Sequence, residues 1–191
     1  MRLILASASP RRRDLLRNAG IDFEVRPGQV VEEIQPEELP GEFARRVARE
    51  KALQIAASAP PGRLVLGADT VVVIDGQTLG KPSDPQDATR MLRLLSGRTH
   101  QVHTGICLVR APGGIEALKH ETTLVTLREL DEEEIRQYVE SGEPSDKAGA
   151  YAIQGLASKF VTRISGCYSN VVGLPVALVY EILKKAESSR Q

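Results

Sequence analysis

The most strand-like stretch of the chain is Leu64-Val65-Leu66-Gly67-Ala68-Asp69-Thr70-Val71-Val72-Val73-Ile74. It is apolar throughout except at its centre, where Asp69 and Thr70 interrupt it. An apolar run of this length predicts a buried strand. A carboxylate inside such a strand is costly unless it is paired or bound to a cation. Asp69 is therefore a candidate metal ligand or general base, and the alternative is an aspartate that caps a turn or pairs with a buried arginine.

Strand and helix signals alternate irregularly on both sides of this stretch. Apolar runs bounded by turn residues predict strands, and apolar spacings of three and four residues beside capping signals predict helices. The predicted strands cover residues 3–6, 23–25, 64–74, 101–110, 117–128 and 159–164. The predicted helices cover residues 10–19, 42–59 and 131–141, with two more opening at Asp84-Pro85 and at Pro175. This order predicts an α/β fold with a mixed sheet, and Asp75-Gly76 predicts a hairpin.

Length and charge limit the functions that the chain can have. Its 191 residues predict one domain over residues 1–191, with room for two lobes around a cleft. Lys and Arg together number 25, as do Asp and Glu, so no global field favours nucleic acid or a membrane. Only three Phe and four Tyr are available for base stacking. We therefore expect neither nucleic acid nor membrane as a partner, and any anion site must be local.

Cysteine usage and the N-terminus predict a cytoplasmic protein. Cys107 and Cys167 belong to no CxxC or Cys/His cluster, so we expect buried thiols in a reducing compartment rather than a disulfide or a zinc site. The apolar run before Ala6-Ser7-Ala8 is too short for a signal peptide. No run approaches the roughly 18 apolar residues of a membrane span.

A basic segment, Ser7-Ala8-Ser9-Pro10-Arg11-Arg12-Arg13, lies where the first predicted strand passes into the first helix. Free N–H groups and the positive end of the helix dipole meet there, which favours phosphate. Arginine adds paired donors that suit phosphate oxygens. The alternative is a serine cap followed by a solvated basic face. The pattern GxxxxGK[ST] is not present here, which excludes a P-loop NTPase.

Two further segments predict ligand contacts, and one pair of histidines does not. In Gly80-Lys81-Pro82 the proline restricts Lys81 to extended geometry, and the glycine permits close approach of a phosphate. The decapeptide Asp146–Gly155 sets an acid beside a base and ends in an amide flanked by glycine, which indicates a loop that contacts a polar ligand. His100 and His103 face opposite sides of a strand, so we discount a zinc site there.

Seven motifs occur in order over nearly the whole chain. They are Ser7-Ala8-Ser9-Pro10-Arg11-Arg12, Arg49-Glu50-Lys51-Ala52, Gly67-Ala68-Asp69-Thr70, Gly80-Lys81-Pro82, Ser96-Gly97-Arg98-Thr99-His100, the decapeptide and Gly166-Cys167-Tyr168-Ser169-Asn170-Val171-Val172-Gly173-Leu174-Pro175. Together they resemble the Maf family of nucleoside triphosphate pyrophosphatases, and their number and order argue against coincidence.

The resemblance implies a fold, a reaction and a metal. The fold would be an elongated α/β sheet with helices on both sides, in two lobes around a deep cleft, related to inosine triphosphate pyrophosphatases. The reaction would be hydrolysis of the α–β phosphoanhydride bond of a nucleotide to a monophosphate and pyrophosphate, with Mg or Mn. A homodimer is compatible with the resemblance, and the sequence leaves the oligomeric state open.

The resemblance also assigns roles to residues. Asp69 would be the catalytic base, and Arg11, Thr70 and Gln154 would be the specificity positions. The mechanism that we predict is in-line attack of water on the α-phosphorus. The predicted metal ligands are Glu33 and Asp69, and the predicted phosphate ligands are Ser9, Arg11, Arg12, Lys51 and Lys81.

The prediction of which nucleobase the protein recognises depends on Gln154. Ala150-Tyr151 with Ile153-Gln154-Gly155 resembles the branch that acts on dTTP and UTP, whereas the 7-methyl-GTP branch has Gly-Phe and then Ser-Glu-Gly. The Gln154 amide offers a donor and an acceptor for the O4 and N3–H edge that uracil and thymine share. Asp146 and Lys147 either pair to shape the loop or place Lys147 on phosphate. Two alternatives stay open: a 7-methyl-GTP-type pyrophosphatase, and a non-enzymatic nucleotide-binding regulator of cell division.

Overall fold

The structure is a computed structural model that describes residues 3–188, and in that range it contains seven strands and six α-helices. The strands are β1 (Leu3–Leu5), β2 (Phe23–Val25), β3 (Leu64–Ile74), β4 (Gln77–Leu79), β5 (Thr99–Arg110), β6 (Gly114–Leu127) and β7 (Val161–Ser165). The helices are α1 (Pro10–Asn18), α2 (Pro40–Ala56), α3 (Pro85–Leu95), α4 (Glu132–Glu140), α5 (Tyr168–Val172) and α6 (Val176–Ser188). Short 3₁₀ helices cover Glu143–Asp146, Ala148–Ala150 and Leu156–Phe160.

All seven strands belong to one sheet, in the order β2-β1-β3-β5-β6-β7 with β4 paired to β3. β1 pairs in parallel with β2 and β3, whereas the pairs β3–β4 and β6–β7 are antiparallel. The prediction of an α/β fold with a mixed sheet is confirmed. The predicted strands lie within a few residues of the observed bounds of β1, β2, β3, β5, β6 and β7, because apolar runs bounded by turn residues mark them. The sequence predicts β4 only as part of a hairpin.

Local signals account for two further features. Asp75 and Gly76 both have positive φ, 50° and 75°, and connect Ile74 to its partner Gln77 in the hairpin of β3 and β4. Both central residues of a type I′ turn need positive φ, which explains the Asp-Gly pair. Helix α2 ends at Ala56, three residues before the predicted end, and Pro60 disfavours helical geometry at Ala59, the residue before it.

The chain divides into two compact units, and three of the boundaries fall inside β3, β5 and β6. Unit 1 takes the described residues of Met1–Asp69, Thr104–Glu121 and Gly173–Gln191, and unit 2 takes Thr70–His103 and Thr122–Val172. The interpretation of residues 1–191 as a single functional domain stays a prediction.

Unit 1 has an apolar cluster on each face of its part of the sheet. Leu3 and Leu5 of β1 pack with helices α1 and α6, through residues such as Leu16 and Ile182. Ile4, which points to the opposite face, packs with α2. Alternate residues of a strand point to opposite faces, so helices cover both sides of the sheet in this unit, as predicted.

Helix α2 lies directly on the backbone of two strands of unit 1. A Cβ atom on Gly67 of β3 would lie 2.0 Å from the carbonyl oxygen of Ala48, and one on Gly105 of β5 would lie 2.2 Å from the carbonyl carbon of Ala44. Only glycine permits so close an approach of helix and strand. The contact brings Lys51 of α2 within reach of Asp69, two residues after Gly67.

Replacing Gly67 by alanine should therefore destabilise the protein by about 1–3 kcal/mol, the usual cost of overpacking. The comparison is urea unfolding of Gly67→Ala and of the control Gly113→Ala, whose added Cβ would meet nothing within 4 Å. Equal midpoints for the two variants would contradict the close packing of α2 on β3.

Unit 2 has its own core, formed by α3, α4 and the strand segments beside them. Its largest fully buried side chains are Leu79, Leu92, Leu95, Leu127, Ile135 and Phe160. Asp84 caps α3 by accepting from the Asp87 N–H, and Asp131 forms a capping box with Glu134 at α4. Helix α3 also contacts the 3₁₀ turn Ala148–Ala150, so this core supports the decapeptide.

The cysteines and the helices bear on two other expectations. Both cysteines are free thiols; Cys107 is buried as predicted, whereas Cys167 is half-buried because it lies in the turn before α5. No helix within residues 3–188 is long and apolar enough to cross a membrane.

Candidate active site

Asp69 lies at the end of the β3 segment that belongs to unit 1, with 8% of its side chain exposed. The Nζ of Lys51, on α2, donates to Asp69 Oδ1 at 2.8 Å. Oε1 of Glu32 lies 2.6 Å from the same Nζ. Lys51 is buried, with only 9% of its side chain exposed, and its binding of phosphate stays a prediction. The lysine supplies the charge compensation that a buried carboxylate requires.

The electrostatic surroundings of Asp69 are those of a tuned carboxyl group. Burial raises its pKa above the usual range of an aspartate, while the positive charges of Lys51 and Arg12 oppose that shift. A general base is most effective when its pKa approaches the working pH. Perturbed carboxyl groups of this kind are frequent at functional sites.

Arg12 is a buried cation that holds the backbone beside Asp69. Its Nε donates to the carbonyl of Gly173 at 2.8 Å, and one Nη donates to the carbonyl of Ala68 at 2.9 Å and to Ser7 Oγ at 3.0 Å. Burial lowers its pKa, and the charge of Asp69 counteracts the shift. The contact with Ala68 fixes the residue that precedes the candidate base. Binding of phosphate by Arg12 stays a prediction.

The start of α1 has the geometry that the sequence predicts. Ser9 is the N-cap, and its side chain accepts from the Arg12 N–H at 3.5 Å. The Ser9 N–H in turn donates to Ser7 Oγ at 3.3 Å. Arg11, in the first turn, is half-buried. Unit 1 contains the candidate residues Ser9, Arg12, Lys51 and Asp69.

The other candidate residues, Thr70, Lys81 and Gln154, belong to unit 2. Thr70 is half-buried in β3, whereas Lys81 and Gln154 are exposed. The N–H of Gly149 donates to the carbonyl of Gly80 at 3.0 Å, so the decapeptide is joined to the segment that carries Lys81. Gly149 has φ of 68°, and a Cβ there would lie 2.9 Å from Val72. A glycine is therefore required at this junction.

Inside the decapeptide, two pairs of side chains hold the chain. The Nζ of Lys147 contacts the Asp146 carboxylate and donates to the Glu143 carbonyl at 2.9 Å, which supports the alternative in which this pair shapes the loop. Nε2 of His100 lies 2.7 Å from the Tyr151 hydroxyl, and the two rings meet edge to face. His100 is buried, whereas His103 on the other face of β5 is half-buried, so the histidines form no metal pair.

Burial lowers the pKa of His100 to about 4. The unfolded chain binds a proton there near pH 6.5, so the folding free energy that depends on neutral His100 is present above pH 6.5 and is lost as pH falls to about 4. The expected loss is roughly 3 kcal/mol across that window, at about 1.4 kcal/mol per pKa unit. Urea unfolding at pH 7 and 4.5 should show a smaller pH effect in His100→Gln than in the control His103→Gln. Equal pH effects in the two variants would refute a buried neutral His100.

Comparison with known proteins identifies the family. The family model described as Maf-like protein matches residues 2–186. The chain belongs to the Maf family. The match includes all seven motifs, so the resemblance that the sequence predicted is confirmed.

Relatives of this Maf protein have names that state a substrate. A protein of Koribacter versatilis named dTTP/UTP pyrophosphatase is 52% identical over 186 residues, covering 97% of this chain and 95% of the relative. A protein of Syntrophomonas wolfei with the same name is 51% identical over 181 residues, covering 95% of each chain. Among solved structures, the HAM1 protein of Coxiella burnetii aligns with a TM-score of 0.41 and 18% identity over 66% of this chain and 73% of its own. This structural similarity, with its TM-score of 0.41, is too low to support a conclusion.

The carboxylates of the Maf chain offer two candidate ligand sets for a divalent cation. Glu33 is exposed, and its main-chain carbonyl accepts from Arg46 Nη2 at 2.8 Å. It is the neighbouring Glu32 whose carboxylate approaches the Lys51–Asp69 pair. Carboxylate oxygens suit Mg or Mn, and the carboxylates of Asp69 and Glu32, which both contact Lys51 Nζ, would hold such a cation. Within residues 3–188 no group of three or more His, Cys, Asp or Glu forms a site from protein ligands alone. The assignment of Glu33 stays a prediction.

Sequence reasoning assigned no individual role to three residues that make defined contacts in the structure. Glu32 lies in a loop between β2 and α2, where no periodicity distinguishes it from Glu33. Ser7 Oγ accepts a hydrogen bond from the Arg12 guanidinium, and this contact exists only because the chain turns between β1 and α1. Asn170, inside the seventh motif, is buried and donates to the carbonyl of Val102 and to Thr123 Oγ1, which gives that motif a structural role in unit 2.

Proposed function

We propose that this chain is a nucleoside triphosphate pyrophosphatase that hydrolyses the α–β phosphoanhydride bond of dTTP and UTP. The observation that carries the proposal is Asp69, a buried carboxyl of raised pKa that is paired with Lys51 inside an apolar strand. Membership of the Maf family supports it, as do the relatives about half identical in sequence that are named dTTP/UTP pyrophosphatase.

In the proposed mechanism Asp69 is the general base. It accepts a proton from water while the water oxygen forms a bond to the α-phosphorus. The bond between the α-phosphorus and the bridging oxygen breaks, and pyrophosphate leaves with that oxygen. The ammonium of Lys51 lies 2.8 Å from the Asp69 carboxylate and favours its ionised form, against the effect of burial. General-base catalysis of this kind contributes typically 10²–10⁴-fold.

Charge on the phosphates has to be neutralised as pyrophosphate leaves. Ser9, Arg11, Arg12, Lys51 and Lys81 are the proposed phosphate ligands, and Arg12 also holds the β3 backbone at Ala68, the residue before Asp69. A divalent cation, Mg or Mn, would neutralise phosphate oxygens when bound, and Asp69 with Glu32 or Glu33 would hold it. Base recognition is assigned to Gln154, with Arg11 and Thr70 as further specificity positions.

Pyrophosphate release from a panel of nucleotides, with and without Mg or Mn, tests the proposal. The expected result is metal-dependent release from dTTP and UTP that exceeds release from GTP, 7-methyl-GTP and ATP. Preference for 7-methyl-GTP would favour the other branch of the family. Nucleotide binding without turnover in either metal would support the regulator of cell division instead.

Gln154→Glu should lower the ratio of kcat/KM for UTP to that for GTP by at least about tenfold, the scale of one hydrogen bond worth roughly 1.4 kcal/mol. The carboxylate loses the amide donor that pairs with O4 and repels that oxygen. Gln86→Glu, an exposed site on α3, is the control for the added charge. An unchanged ratio would remove Gln154 as the reader of the base.

We further infer that the enzyme works in the cytoplasm on free nucleotides, since its charge is balanced and its thiols are free. A homodimer stays a prediction, which sedimentation of the purified protein tests directly.

A further inference from the structure

In the proposed function, Gln154 is the side chain that reads the nucleobase. Gln154 is exposed, and within the described residues its amide makes no hydrogen bond. Its position therefore depends on the backbone that carries it. We propose that Tyr138 and Glu143 are positioning residues that hold this backbone on both sides of Gln154 and thereby set base selectivity. The inference rests on the proposed role of Gln154.

Two hydrogen bonds hold the backbone on either side of Gln154. Tyr138 accepts one of them and Glu143 accepts the other. The N–H of Ala152, two residues before Gln154, donates to the Tyr138 hydroxyl at 3.1 Å. The N–H of Leu156, two residues after it, donates to Glu143 Oε2 at 3.0 Å. The Tyr138 hydroxyl donates to Glu143 Oε1 at 2.8 Å and so joins the two supports. We call this arrangement the Tyr138–Glu143 clamp.

The clamp is itself held in place. Tyr138, on α4, is 3% exposed, and its ring meets that of Phe160 edge to face at 5.4 Å. Glu143 begins the 3₁₀ helix that follows α4, and its carbonyl accepts from Lys147 Nζ at 2.9 Å. Burial and the hydrogen bond to Glu143 raise the pKa of Tyr138, so the hydroxyl stays protonated and can donate. Tyr138 thus joins the clamp to the core of unit 2, whereas Glu143 is half-buried.

The loop closes tightly around the Glu143 carboxylate. A Cβ atom on Gly155 would lie 2.2 Å from Glu143 Oε2, so a larger residue there would require the carboxylate to move away from its hydrogen-bond partners. Gly155 therefore suits the position of the carboxylate in the clamp. The same loop is fixed further back, where Tyr151 contacts His100.

The position of the backbone matters because of the contact that Gln154 has to make. Its amide must meet O4 and N3–H of the base at the same time, and both hydrogen bonds weaken steeply with distance and angle. A misplacement of about 1 Å can cost on the order of 10²-fold in rate. An exposed side chain without other support depends for this precision on the clamp.

A double-mutant cycle separates positioning of Gln154 from general support of the fold. Tyr138→Phe removes one oxygen atom and keeps the ring against Phe160. We expect it to lower kcat/KM for UTP about tenfold, mainly through KM, and to lower the UTP-to-GTP ratio. In a Gln154→Ala background the same change should alter kcat/KM for UTP less than twofold. Tyr180→Phe, an exposed tyrosine on α6, is the matched control.

Variants of Glu143 test the other half of the clamp and serve if Tyr138→Phe does not fold. Glu143→Gln keeps one acceptor oxygen for the Leu156 N–H, so it should retain more UTP selectivity than Glu143→Ala. Glu181→Ala, exposed on α6, is the control. Equal selectivity in Glu143→Gln and Glu143→Ala would count against the clamp.

The outcomes distinguish this inference from the proposed function. If the wild-type chain releases no pyrophosphate from UTP, the proposed function fails, and the inference fails with it. If the wild type is active but the losses from Tyr138→Phe and Gln154→Ala multiply, the clamp supports the fold alone and only the inference is overturned. An unchanged UTP-to-GTP ratio in Tyr138→Phe overturns it as well.

Discussion

Asp69→Asn is expected to lower kcat for UTP at least about 100-fold, the scale of a positioned general base. The asparagine amide has nearly the shape of the carboxylate but cannot accept a proton from water. It can still accept the hydrogen bond from Lys51 Nζ through its oxygen, so the packing around β3 should persist. Pyrophosphate release under saturating UTP gives kcat, and urea unfolding gives the stability of the variant.

The control for Asp69→Asn is Asp22→Asn, an exposed aspartate in the same unit. It changes the net charge equally and should leave kcat unchanged. Turnover by Asp69→Asn close to that of the wild type would remove Asp69 as the base. The proposed attack on the α-phosphorus would then need another proton acceptor.

Lys51→Met is expected to destabilise the protein by about 3–5 kcal/mol at pH 7, the usual result of removing one partner of a buried ion pair. The methionine fills most of the space of the lysine stem but leaves the buried Asp69 carboxylate without the ammonium group that donates to it. Urea unfolding of Lys51→Met and of the exposed control Lys119→Met measures the difference.

The stability of Lys51→Met should also depend on pH in a defined way. Lys51 lowers the pKa of Asp69 against the larger effect of burial, so its removal should raise that pKa further. A carboxyl whose pKa is higher in the folded chain binds more protons there, and folding stability then rises as pH falls. The stability deficit of Lys51→Met should therefore shrink between pH 7 and pH 5. The acidic limb of its kcat/KM profile for UTP should also move to higher pH. A deficit that is constant with pH would show that Lys51 does not act through Asp69.

Periodicity and capping residues explain why the elements of this chain could be predicted. The apolar run of β3, the Ser9 and Asp84 caps and the Asp75-Gly76 turn each depend on neighbours a few residues away. The resemblance to the Maf family depends on something else than local periodicity. It depends on the polar residues that the seven ordered motifs contain. Asp69 was found because a carboxylate contradicts the apolar run around it.

Other contacts could not be read from local patterns. Glu32 and Glu33 are adjacent acids in one loop, and only the path of that loop brings Glu32 to Lys51. Gly67 was visible in the sequence as a small residue, but the sequence did not show that α2 packs directly against it. The Tyr138–Glu143 clamp joins residues from α4, a 3₁₀ helix and a loop, and neither residue departs from an ordinary amphipathic or polar pattern.

The sequence by itself thus determined the elements, the mixed α/β class, the family and the residue types available for chemistry. Such properties follow from short-range periodicity and from motifs that are contiguous in the chain. The tertiary structure decided which of these groups share an environment. It placed Lys51 on Asp69 and buried the pair, and it tied the backbone on both sides of Gln154 to Tyr138 and Glu143. Burial and distance set pKa values and hydrogen bonds, and both depend on packing between segments that are far apart in the chain.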